Sequence, residues 1–186
     1  PPAKQQIACT RSFGQPITEL HELQEAITEF ACRAAEKLRR QNSHTGHLMA
    51  FIRTSPFRDD KQYSRSVTVP LRRPSADTAA IVQAALMGLK RIYKPGYKYA
   101  KAGVMLLDLR PASNLQHELD LEYEQQAGNR GRLMQALDGV NARYGRGALL
   151  LASAGTEGDH RAWSMRQERR TPGYTTRWGE LAVARA

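Results

Sequence analysis

The chain has 186 residues, with 28 Lys and Arg against 18 Asp and Glu and a formal net charge of +10. That length suits one domain or one plus a small second unit, enough to bury a core without disulfides or a structural metal. The apolar runs are too short for a membrane-spanning helix, and the start PPAKQQIACTRSFG lacks an initiator Met and an apolar signal region. The chain therefore reads as a piece of a longer, non-membrane protein. Cys9 and Cys32 show no CxxC or ladder spacing and read as two reduced thiols of a cytoplasmic protein. The positive excess points to an anionic partner such as nucleic acid.

Residues 7–13, IACTRSF, are β-rich and stop at Gly14, which predicts a first strand. Leu20, Leu23, Ile27, Phe30, Ala34 and Leu38 then recur at three- and four-residue steps, an amphipathic helix over about 17–40. Asn42 to Gly46 form its exit loop. HLMAFIRT (47–54) is a second strand halted by Ser55-Pro56, and SRSVTVPL (64–71) a third, whose Pro70 suits an edge or a strand end. Ser75 or Asp77 can cap a second helix with an Ile81, Ala85, Leu89, Ile92 stripe, running to about Tyr93 and broken by Pro95-Gly96. YAKAGVMLLDL (99–109) completes the order β-α-β-β-α-β. That order predicts an α+β, ferredoxin-like domain over 1–110, with four antiparallel strands and both helices on one face.

Charge divides the chain. Residues 1–110 hold 18 basic and 9 acidic side chains, residues 111–127 hold four acids and no base, and residues 128–186 hold 10 bases and 5 acids. The acidic, glycine-closed stretch at 111–129 reads as a linker. Beyond it, Leu133, Leu137, Val140 and Tyr144 predict a short helix, ALLLA (148–152) a buried strand, and RAWSMRQ (161–167) a strand that could pair with it. Residues 130–186 are thus expected to be a small α+β unit, with Trp163, Met165, Tyr174 and Trp178 as its core. Alternatively, Trp178 beside Arg177 is an exposed anchor for a partner.

Chemistry-bearing motifs are missing. There is no G-x-x-x-x-G-K-[ST] loop and no G-x-S-x-G elbow, and the five histidines are scattered without a metal-ligand spacing. Asp108 is the one acid on a predicted strand, too few for a two-metal phosphoryl-transfer site. No catalytic residue, metal site or cofactor is expected in this stretch. The uncovered face of the sheet instead presents Arg11, Ser12, Arg53, Ser64, Arg65, Ser66, Lys98 and Lys101 on or beside strands. Arg and Lys supply charge to phosphates, and Ser hydroxyls supply neutral donors. Few exposed aromatics are expected there, which disfavours an RNA reader built on base stacking. An RNA-binding module and a protein-interaction scaffold remain the alternatives.

Several long segments carry a resemblance: KQQIACTRSFG (4–14), ACRAAEKLR (31–39), FIRTSPF (51–57), YKYAKAGVMLLDL (97–109), LMQALDGVNARYGRGAL (133–149) and WSMRQERRTPGYTTRWGEL (163–181). In this order they make nearly the whole chain resemble the C-terminal part of the UmuC, MucB, ImpB and RumB family of Y-family translesion DNA polymerases. The resemblance implies that 1–110 is a little finger gripping primer–template duplex, in a cytoplasmic enzyme of SOS mutagenesis. The Mg2+-dependent palm would lie outside this chain. It implies DNA contacts for Arg11, Ser12 and Gly14 of the first-strand motif, for Ser64, Arg65 and Ser66 of an SRS-like strand, and for basic Lys98 and Lys101. It also implies a sliding-clamp peptide in the linker, here Gln116, Leu119 and Leu121 without the usual Phe, and partners of the UmuD type and a RecA filament.

Overall fold

The computed structural model describes residues 4–114, 121–145, 147–155, 163–164, 171–173 and 175–181, with 114 and 121–128 described by their backbone only. Four strands and two helices alternate as expected: β1 (Ile7–Ile17), α1 (Leu20–Arg40), β2 (Ser43–Thr54), β3 (Ser64–Ser75), α2 (Thr78–Ile92) and β4 (Tyr99–Pro111). The strands form one antiparallel sheet in the order β1-β4-β2-β3. Each strand–helix–strand unit is split by a third strand, β4 lying between β1 and β2, and β2 between β3 and β4. The protein is α+β and ferredoxin-like in its element order.

Both helices cover one face of the sheet. α1 buries Leu23, Ile27, Phe30 and Leu38, and α2 buries Ile81, Ala85 and Leu89. They pack on Leu48, Ala50 and Ile52 of β2 and on Ala102, Val104 and Leu106 of β4. Gly88 allows α2 to approach closely, since a Cβ there would stand 3.2–3.3 Å from Val69, Ala50 and Val67. Asp77 caps α2 by accepting from the Ala79 N–H at 2.7 Å.

Element edges shift in ways with local causes. β2 begins at Ser43 rather than 47, because Asn42 takes a left-handed turn (φ 52°) that returns the chain at once. β3 runs on through Pro70 and Pro74 to Ser75, tolerable because it is an edge strand. β1 continues past Gly14 to Ile17 through a register shift between Ser12 and Ile17.

The C-terminal region departs further from expectation. α3 spans Leu121–Tyr144, so it begins inside the stretch read as linker. Leu, Glu, Gln and Ala, which make up most of residues 121–127, are strong helix formers. Together they override Gly128 and Gly131. ALLLA does not form the expected strand. The Asn141 amide brackets Leu149, donating to its carbonyl at 3.0 Å and accepting its N–H at 2.9 Å, and a short 3-10 turn follows at Ala152–Ala154. Side-chain amides that satisfy backbone groups in this way compete with ladder pairing. Most of 161–167 lies outside the described residues.

Trp163 is buried at 2% exposure, but in the core of the first unit: its ring meets Phe30 of α1 edge-on, centroids 6.0 Å apart. Beside it the Gly14 N–H of edge strand β1 donates to the Ser164 carbonyl at 3.0 Å. Trp178 is 89% exposed, which corrects its assignment to a tail core. Met165 and Tyr174 lie outside the described residues. α3 is fastened to the N-terminal end of α2. The Thr78 N–H lies 3.4 Å from Met134 Sδ, Arg39 bridges Asp138 to Thr78, and Arg130 pairs with Asp77.

This last pair gives a pH-dependent expectation. Burial pushes the Asp77 carboxyl up, but hydrogen bonds from Arg130 and the Ala79 N–H outweigh it and hold the group below its ordinary 3.8. A carboxyl depressed in the folded state stabilises the fold fully above 3.8 and loses that contribution as pH falls through the lower folded value. Protection of the Thr78–Ala80 amides, taken relative to their intrinsic exchange rates, should drop on acidification through that value in the wild type, and the Asp77→Asn variant should lack this step.

Candidate nucleic-acid interface

Side chains alternate across a strand, so pairing register fixes what the uncovered face presents. One cross-strand row reads Ser12 (β1), Lys101 (β4), Arg53 (β2), Ser64 (β3). The next reads Thr10, Gly103, Phe51, Ser66, and the third Ala8, Met105, Met49, Thr68. Leu107, His47 and Pro70 follow. None of these positions is acidic, and the Asp108 carboxylate comes within 3.7 Å of His47 Nδ1 at the end away from the cations. The face therefore has a charged, hydroxyl-bearing row at one end and a half-buried apolar centre.

Ser12, Arg53, Ser64, Ser66 and Lys101, read from sequence as one group, are brought together here. Arg11 and Arg65 are not. Arg11 pairs with Ala102 and Arg65 with Ile52, both buried under the helices, so these two arginines stand on the covered side of their edge strands. Arg11 lines a cavity of about 390 Å³ with Glu29, Arg33, Glu36 and Trp163. The Arg65 guanidinium lies 5.9 Å from the centre of the Tyr63 ring, whose hydroxyl donates to the Ile92 carbonyl at 2.6 Å. Counting basic residues per strand does not reveal parity at a sheet edge. Gly14 serves the β1–Ser164 contact. Lys98 precedes β4 and pairs with Asp60 at 3.0 Å. Gln116 and Leu119 lie outside the described residues, and Leu121 is placed by its backbone at the start of α3.

Gly103 flattens the middle of this face. A Cβ there would meet Thr10 at 2.5–2.7 Å and the Phe51 ring at 2.8 Å. The ring can then lie over bare β4 backbone instead of standing out from the sheet. Gly103→Ala should cost about 1–3 kcal/mol by overpacking and lift Phe51 outward. Chemical denaturation of the variant, with its aromatic proton shifts, checks both parts.

Sequence reading missed two exposed or half-exposed aromatics. Phe51 sits half-buried on the central strand, facing outward, and Phe57 in the β2–β3 loop is 96% exposed. The alternation of FIRT was the available signal for Phe51, because it sets Phe51 and Arg53 on one face opposite Ile52.

Other reactive groups are muted. Burial pushes the Cys32 thiol up to about 11, aided by Glu29, and burial likewise raises Cys9, so both are protonated at neutral pH. Burial lowers His44. Among the described residues no group of three or more His, Cys, Asp or Glu is placed to hold a metal ion, and no helix is long and apolar enough to cross a membrane.

Residues 4–119 match the model of the impB/mucB/samB family C-terminal domain, and residues 131–184 match a second family described as a domain of unknown function. Protein UmuC of Salmonella typhimurium is 39% identical over 181 residues, covering 97% of this chain and 42% of that protein. Protein SamB of Salmonella typhimurium is 40% identical, covering 100% of this chain and 43% of its own length. Protein MucB of Escherichia coli is 42% identical, covering 99% and 42%. The chain thus spans less than half the length of these relatives, on their family's C-terminal side. A family match over most of the chain, joined to a βαββαβ sheet covered by helices on one face, makes this chain a C-terminal region of the UmuC/ImpB/MucB/SamB family.

Proposed function

We propose that this region is the non-catalytic DNA-gripping and partner-docking part of an error-prone translesion polymerase, working in SOS mutagenesis in the bacterial cytoplasm. The family match and the basic charge support the reading. The observation that carries it is the Ser12–Lys101–Arg53–Ser64 row, with no acid at its positions or at those of the next two rows. Two cations with flanking hydroxyls can hold successive phosphates without reading bases, since phosphate contacts position and base contacts specify. The ligand is the primer–template duplex. Catalysis with Mg2+ belongs to a palm elsewhere in the parent enzyme.

Binding should be steeply salt-dependent, because each neutralised phosphate releases counterions at a slope of about 0.9 in log–log form. Duplex DNA titrated at several salt concentrations, with single-stranded RNA as competitor, tests the reading. Salt-sensitive duplex binding that RNA competes poorly supports it. Preferential RNA binding favours an RNA module, and absent binding favours a protein scaffold.

The acidic segment adds a second task. Gln116, Leu119 and Leu121 give the Gln-x-x-Leu-x-Leu spacing of a peptide that lays apolar anchors into a groove of the sliding clamp. Leu119→Ala with Leu121→Ala should abolish clamp binding in a pull-down while leaving duplex affinity unchanged. UmuD-type subunits and a RecA filament are the further partners of the parent enzyme in this reading.

A further inference from the structure

A single exposed apolar side chain needs no explanation. Phe57 differs because the loop that exposes it is rigidly built. Gln62 stands with its amide nitrogen 2.9–3.0 Å from three loop carbonyls, those of Ser55, Arg58 and Asp60, which share its two N–H donors. Its carbonyl in turn accepts from Thr54 Oγ1 at 2.9 Å, and the Thr54 N–H donates to the Tyr63 carbonyl at 2.9 Å. Lys98 holds Asp60 at 3.0 Å from outside the loop. Nine residues with no core of their own are thus pinned from several sides, yet the largest apolar side chain among them stays 96% exposed.

The loop's position narrows what could cover the ring. Arg53 opposite Ser64 is the last rung of the β2–β3 ladder, so the loop springs directly from the cationic end of the open face. Within it Arg58 and Lys61 are balanced by Asp59 and Asp60, the latter taken by Lys98, so the positive charge nearest the loop is that of the adjoining Arg53–Lys101 row. An exposed ring in a loop that springs from the cationic end of a phosphate-binding surface is suited to the flat face of a nucleobase, and an apolar protein pocket would instead have to desolvate the charges around it. We infer that Phe57 is a stacking platform for an unpaired nucleobase where the duplex held by the open face gives way to single strand. This rests on the duplex-gripping reading above and adds a structural preference to it. Preordering of the loop lowers the entropic cost of making the stack.

The test compares a blunt duplex with the same duplex carrying an oligothymidine overhang of either polarity, measured with the full chain. The wild type should favour the tailed duplex. Phe57→Ala should lower tailed-duplex affinity about 5- to 150-fold, the range for losing one base–aromatic stack, and leave blunt-duplex affinity unchanged. Phe57→Trp should keep the preference. Equal effects of Phe57→Ala on both duplexes, or none on either, overturn the inference. If blunt-duplex binding needs Arg53 and Lys101 but tail preference ignores Phe57, only this inference falls. If the wild type binds neither duplex, it falls together with the duplex-gripping reading.

Discussion

Trp163→Ala is expected to be the most damaging single substitution on the C-terminal side of the chain. The side chain is 2% exposed, and its ring stands edge-on to the fully buried Phe30 of α1. Truncating a buried Trp costs about 3–5 kcal/mol, the transfer term plus the cavity it leaves. In a chain of this size that lowers the thermal midpoint by about 10 °C. The loss should also be visible in one place. The Gly14 N–H donates to the carbonyl next to Trp163, and that hydrogen bond closes part of the free edge of β1. Amide exchange at Gly14 should therefore quicken well beyond the change at Val104 in the centre of the sheet. An unchanged midpoint with Gly14 still protected would show that the tail does not share the core of the first unit.

The second large effect is expected at Arg39. Its Nε and Nη2 donate to the two carboxylate oxygens of Asp138 at 2.7 and 2.6 Å, and Nη1 donates to the Ala76 carbonyl and Thr78 Oγ1 at 2.9 and 2.8 Å. One guanidinium thereby joins the end of α1, the start of α2 and the C-terminal half of α3. Its side chain is only 13% exposed and Asp138 is 29% exposed, so water screens the pair poorly. Arg39→Met leaves Asp138 and the α2 terminus without their donor and should cost about 2–4 kcal/mol, on the scale of breaking a partly buried pair. Arg39→Lys should recover little of this, because a point charge cannot reproduce the fork. Adding Asp138→Leu to Arg39→Met should recover part of the loss, and a double-mutant cycle on denaturation midpoints measures the coupling. Strict additivity of the two changes would mean that the bridge does not fasten α3.

These two sites mark where sequence reading stops. The first 110 residues were legible because each element carries a strong local period: Leu23–Ile27–Phe30–Leu38 down one helix face, Val67–Val69 alternating on β3, Pro95-Gly96 as a break. Trp163 was assigned to a small tail core because nothing local says that a Trp more than a hundred residues from Phe30 will pack on it. Nothing local links Arg39, in the last turn of α1, to Asp138 on α3. Their partnership is wholly tertiary. Helix formation through Gly128 and Gly131 was also hidden, since a glycine costs a helix only about 1 kcal/mol against Ala and docking through Met134, Arg130 and Asp138 can offset that. On the open face, residue types were legible and sidedness was only half so. Arg53 and Lys101 alternate with buried Ile52 and Ala102 on central strands, where burial on one face fixes parity. Arg11 and Arg65 lie on edge strands, where a polar residue can occupy the covered side at the rim.

The central claim is that the open sheet face grips DNA, not the excess positive charge as such. The most direct test pairs two charge reversals of equal size. One variant carries Arg53→Glu and Lys101→Glu on the open face, the other Lys90→Glu and Arg91→Glu on exposed positions of α2, on the covered side. Both change the net charge equally. Duplex affinity measured across a salt series should fall more than about tenfold for the sheet variant, with the log–log slope reduced by about 2, and stay near wild type for the helix variant. Equal losses in the two variants would contradict the claim, because net charge alone would then account for the binding.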